Sequence, residues 1–84
     1  MRAAHKETLR AIYRIPASGT IKWRDIESLF LALGGELSEG AGSRVRVRLS
    51  GRIAVFHRPH PKPDTDKGAV KSVRRFLDEV GIRP

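Results

Sequence analysis

Two histidines three residues apart, His57 and His60 in the segment FHRPHP, are well suited to move protons near neutral pH. An imidazole with an unperturbed pKa of about 6.5 populates both protonation states there, so one ring can act as base and the other as acid. The surrounding sequence is cationic. Between Arg44 and Pro63 stand Arg44, Arg46, Arg48, Arg52, Arg58 and Lys62 with no Asp or Glu, which is +6 of the formal +8. Charge concentrated in this way suits a polyanion, and nucleic acid is the commonest one. On RNA the fitting reaction is transesterification. A base takes the 2′-OH proton, the alkoxide attacks the adjacent phosphorus, and an acid protonates the departing 5′-oxygen. Arginine forks, with Arg46, Arg48 and Arg58 foremost, would grip the phosphate and stabilise the added negative charge of the phosphorane.

Plainer roles compete for the same residues. Exposed strands often carry Lys or Arg to discourage pairing, and a histidine among prolines can simply cap a strand or bond a loop carbonyl. Six cations without one anion favour the polyanion reading. His60 is the first choice for catalysis, because it lies past a strand end where a loop can present it to solvent. His57 shares the alternation of Ile53 and Val55 and is expected half-buried on a sheet face. Metal chemistry has a poor ligand set, since Asp64 and Asp66 are the only carboxylates near these histidines and are better used to cap a helix. Ser43 has no base beside it in sequence, and Gly40 and Gly42 precede a strand rather than a helix, so neither a serine nucleophile nor a phosphate loop is indicated.

The elements that must hold these residues follow from periodicity. Val45, Val47 and Leu49 alternate with Arg44, Arg46 and Arg48, which predicts a strand with its arginines on the solvent face. Ser50-Gly51 is a tight turn, and Arg52 to His57 returns as a further strand; Glu36 to Glu39 is a brief first strand before the turn Gly40-Ala41-Gly42. Ile26, Leu29, Phe30 and Leu33 predict a helix from Lys22 to Leu33, stopped by Gly34-Gly35, with Trp23 clamping its start onto the core rather than binding a base. Val70, Val73, Leu77 and Val80 predict a closing helix that begins near Asp64 or Asp66 and ends at Gly81. Leu9, Ile12 and Tyr13 suggest a short helix before Pro16, a small stripe expected to pack loosely or against a partner.

The expected class is therefore α+β: an N-terminal arm, then a helix, three antiparallel strands and a helix, with both helices on one sheet face. At 84 residues the chain is read as a single domain, with residues 1–19 as arm and linker and 20–84 as the core. It has no cysteine, so disulfides and thiolate metal sites are excluded. No apolar run approaches the roughly 20 residues needed to span a bilayer and no signal-peptide core is visible, so the expectation is a cytoplasmic protein without a membrane partner.

Laid out in this order, IKWRDIESLFLALGG, the Gly-Ser turn GAGS, the strand RVRVRL, the HRPHP segment and the helix DKGAVKSVRRFLDEVGI resemble the HicA family of toxin endoribonucleases from about Ile21 to Ile82. The resemblance implies a compact αβββα fold similar to the double-stranded RNA-binding domain. It implies a ribosome-independent messenger RNA interferase that represses translation when free, and no cofactor is expected. It also implies a HicB-like antitoxin that covers the toxin, operator DNA being met only through the antitoxin complex. Many family members place a catalytic histidine directly after the Gly-Ser turn, where this chain has Arg44. Either His57 or His60 then supplies the imidazole, or the activity is weak or lost. A non-catalytic RNA-binding module using Arg44, Arg46, Arg48 and helix residues such as Lys71, Arg74 and Arg75 is the nearest rival, and a protein-interaction subunit that meets an acidic partner is a third.

Overall fold

A computed structural model of the chain describes all 84 residues. Three helices, α1 (Ala3–Ile12), α2 (Trp23–Ala32) and α3 (Lys67–Glu79), accompany three strands, β1 (Glu36–Glu39), β2 (Arg44–Leu49) and β3 (Arg52–His57). The strands form one antiparallel sheet in the order β1-β2-β3, which agrees with the sequence expectation. Residues of β2 alternate exposed and buried, with Val45, Val47 and Leu49 inward. The turn to β3 is made by Ser50 and Gly51, whose φ values of 50° and 77° give the two left-handed residues that match hairpin twist.

Both α2 and α3 cover the inward sheet face, as expected. Phe30 of α2, Phe56 of β3 and Phe76 of α3 meet with ring centroids 5.8 to 6.0 Å apart, and Trp23 adds a fourth ring 5.8 Å from Phe56. Trp23 is thus a core residue. Asp66, not Asp64, caps α3: its carboxylate accepts the Ala69 N–H at 2.8 Å, while Asp64 pairs with Lys22. That pair lies on a short bridge between residues 22 and 64, where Pro63 also accepts the Trp23 N–H at 3.0 Å.

The arm departs from expectation. Helix α1 does not hang loosely, because Leu9 and Ile12 are buried in the same cluster as the α2, α3 and sheet residues. Tyr13 donates its hydroxyl to Asp78 at 2.7 Å, with the Ile82 carbonyl 2.9 Å away. Arg74 reaches back to the carbonyls of Ile12 and Arg14 at 3.0 and 2.9 Å. A stripe that looks thin in sequence suffices because the α3 side chains supply the polar ties, which no periodicity reveals.

Candidate functional site

The register of β2 and β3 decides which charged residues stand together. Arg44 is opposite His57, Arg46 opposite Val55 and Arg48 opposite Ile53. Residues directly opposite share a face, so Arg44, Arg46, Arg48, His57, Val55 and Ile53 all occupy the sheet surface that the helices leave open. On the other flank Glu36 is opposite Arg48 and Ser38 opposite Arg46. The outward face therefore has three lanes: a weakly acidic one on β1, a fully basic one on β2, and an apolar one on β3 that ends at His57.

His57 is exposed rather than half-buried, and Ile53 and Val55 are 50% and 51% exposed. The alternation in β3 is as expected, but the covered face is the one that carries Phe56. His60 is also exposed, in the segment beyond β3. The start of β2 and the end of β3 are locked to each other: the Arg58 N–H donates to the Ser43 carbonyl at 2.9 Å. The turn that precedes Arg44 thus sits against the end of the strand that carries His57.

The six cations of this segment separate into groups. Arg44, Arg46 and Arg48 form the row. Arg52, opposite Leu49, has the other parity and lies exposed at the hairpin end, and Lys62 is exposed in the loop. Arg58 is the exception, since its donors are already engaged. Its Nε bonds Glu27 at 2.9 Å, and its two terminal nitrogens bond the Glu39 carboxylate at 2.5 and 2.8 Å. Glu27 in turn accepts the Trp23 indole N–H at 2.8 Å. This network ties α2, β1 and the end of β3. Neither Glu27 nor Glu39 stands out in sequence, because they lie 31 and 19 positions from Arg58. The bidentate pair raises the Arg58 guanidinium further above its ordinary range, and the Arg58 hydrogen bonds hold the Glu39 carboxyl below its usual one.

No three His, Asp or Glu side chains converge anywhere in the molecule. The chemistry available at the outward face is that of an imidazole beside guanidinium groups: proton transfer next to a bound anion.

Comparison with known families matches the family model described as HicA toxin of bacterial toxin-antitoxin over residues 23–82, from the first residue of α2 to just beyond α3. Searches of curated proteins and of solved structures return no match. No helix is long and apolar enough to cross a membrane. With most of its length covered, from the aromatic core through the arginine row to the closing helix, the chain belongs to the HicA family of toxins from bacterial toxin–antitoxin systems.

Proposed function

We propose that this toxin is a metal-independent endoribonuclease that cuts messenger RNA, with the outward sheet face as its substrate surface and a HicB-like antitoxin as the partner that covers it. The observation that carries the reading is the pairing of Arg44 with His57. The resemblance puts the family's usual catalytic histidine where Arg44 stands, and the residue directly across the ladder from that position is a histidine. An imidazole can thus reach the same part of the surface from the neighbouring strand, with Cβ atoms of facing residues typically ~5 Å apart. This support moves His57 ahead of His60 as the base, and leaves His60, in the adjoining loop, as the acid.

Arg44, Arg46 and Arg48 supply phosphate contacts along β2, with Arg52 and Lys62 extending the cationic surface at its two ends. Such binding follows the backbone and weakens steeply with salt. Arg58 contributes by holding the end of β3 in place. It would have to exchange Glu39, the more exposed of its two partners, for a phosphate in order to bind RNA directly. The apolar lane of Ile53 and Val55 beside the arginines is poorly used by RNA. A protein partner that offers apolar and acidic groups would cover both lanes at once.

The test is incubation of purified protein with a long labelled messenger RNA in EDTA, for wild type, His57→Ala and His60→Ala. Positioned acid–base catalysis is worth ~10²–10⁴-fold, so loss of the base should reduce cleavage by at least about a hundredfold while RNA affinity persists. Intact RNA with the wild-type protein, together with salt-sensitive binding, would instead establish the second reading, an RNA-binding module, which the presence of Arg44 at the family's histidine position favours.

A further inference from the structure

Helix α1 lies outside residues 23–82, so family membership says nothing about it. Its charge pattern breaks the rules for a helix whose surface merely faces water. Arg2, Lys6, Arg10 and Arg14 recur at intervals of four, each exposed, and Glu7 is the only acid in the first fourteen residues. With a rise of 1.5 Å per residue, this places one cation about every 6 Å along and just beyond the helix. None of the four takes part in an ion pair; those of the molecule are Lys22 with Asp64, Arg58 with Glu27 and Glu39, and Arg83 with Asp78.

The N-terminal part of the row weakens the helix that carries it, whereas Arg10 in the last turn suits the negative end of the dipole. Like charges four apart repel by a few tenths of a kcal/mol per pair. Arg2 at the N-cap and Lys6 just beyond the first turn oppose the positive end of the macrodipole, and that turn has no acid to offset them. The helix is retained through its tertiary ties: buried Leu9 and Ile12, the Tyr13 hydroxyl on Asp78, and Arg74 on the Ile12 and Arg14 carbonyls. A local cost sustained by packing elsewhere is the pattern of a functional surface.

A second observation lies beside the row. Arg10 and Arg14 border an open groove of about 1100 Å³ between α1 and the segment that leads into α2. Its walls add the hydroxyls of Thr20 and Ser28, together with Lys22, which is paired with Asp64, and Thr8, whose hydroxyl donates to the Ala4 carbonyl; Glu7 and Asp25 are the acidic side chains present. His5 also lines it, and its Nδ1 is buried without a hydrogen-bond partner in the protein. Cationic and hydroxyl donors in one concavity are the groups that bind phosphate and sugar oxygens.

We propose that α1 and this groove form a second binding surface for the RNA backbone, on the helical layer of the molecule and separate from the Arg44, Arg46 and Arg48 face. The proposal rests on RNA being the ligand, as argued above. It gives the toxin a footprint longer than the cleavage site, so that α1 adds to the hold on RNA that the Arg44, Arg46 and Arg48 face provides, while cutting belongs to the sheet face alone.

The experiment is fluorescence anisotropy with a labelled single-stranded RNA at several salt concentrations. Wild type is compared with the triple variant Lys6→Gln, Arg10→Gln, Arg14→Gln. Neutralising one phosphate-bound cation lowers the slope of log affinity against log salt by about 0.7 on a single strand, so the triple variant should fall short of wild type by about two. Glutamine is a good helix former and removes the like-charge repulsion of the row, so melting should be equal to that of wild type or slightly higher. If the triple variant melts lower, the pair Lys6→Gln, Arg10→Gln gives the same test with about 1.4 of slope. A slope equal to that of wild type in these α1 variants overturns this proposal alone. A wild-type protein that fails to bind RNA at all overturns the functional reading and this inference with it. Loss of antitoxin capture with an unchanged RNA slope would make α1 a protein-docking helix and also overturn it.

Discussion

Arg58 holds two carboxylates at once, and this single residue connects the end of β3 to α2 and β1. In sequence it groups with the phosphate-gripping arginines, because type and neighbourhood are all that a sequence offers. What sets it apart is that Glu27 and Glu39 are brought to it by folding, so its charge is balanced inside the molecule while that of Arg44, Arg46 and Arg48 is not. The clamp has a pH signature. Glu39 ionises more readily in the folded chain because Arg58 donates to it, so the carboxyl is held below its ordinary value of 4.5. A depressed folded pKa means that the unfolded chain binds the proton first. The contribution is therefore fully present above the ordinary carboxylate range and is lost as pH falls through it toward the folded value. Glu39→Gln should consequently remove part of the acid sensitivity. Urea midpoints measured from neutral pH down to about pH 3 should fall less steeply in the variant than in wild type. Parallel curves would show that the pair is too solvated to matter.

The elements are legible to the extent that their periods are simple. The alternation RVRVRL implies a strand, its buried face and the exposed arginine row without reference to anything distant. The Ser50-Gly51 turn then sets the register, and with it the placement of His57 across from Arg44. That last step can be made in sequence by counting outward from the turn, yet its meaning depends on which face the helices cover. Helix starts are subtler. Asp64 and Asp66 are equal candidates in sequence to cap α3, and the bridge between residues 22 and 64 separates them by engaging Asp64 with Lys22. Only Asp66 is left to accept the Ala69 N–H. Asp66→Ala should therefore lower stability by about 1 kcal/mol, read as a shift in urea midpoint at constant slope, whereas Asp64→Ala should cost less because a partly exposed ion pair contributes little. An equal loss in both variants would count against the capping assignment.

At the scale of the whole molecule, the N-terminal helix joins the same buried cluster as the family-matched segment and is tied to it by Tyr13. Burial, and then the hydrogen bond to Asp78, push the Tyr13 hydroxyl well above its ordinary value of 10.0. A raised folded pKa means that the folded chain keeps the proton longer, so this tie is fully present below about pH 10 and is lost as pH rises beyond it. Tyr13→Phe should cost about 1–2 kcal/mol at neutral pH and should lack that component of alkaline loss, which denaturation at about pH 8 and about pH 11 would measure. An unchanged midpoint at neutral pH would mean that α1 is held by Leu9 and Ile12 alone. Tyr13 is the one tyrosine, so its ionisation is also directly visible by absorbance. The order of α2, the three strands and α3, the cationic hairpin and the family resemblance are all written in the linear chain, because they follow from local alternation, turn chemistry and spacing. Folding was needed to establish which sheet face is open, and hence that the Arg44 and His57 pair lies on it, that Arg58 is balanced by Glu27 and Glu39, and that α1 is part of the core. Each of those depends on residues far apart in sequence being brought within a few ångströms, where charge and burial act through space rather than along the chain.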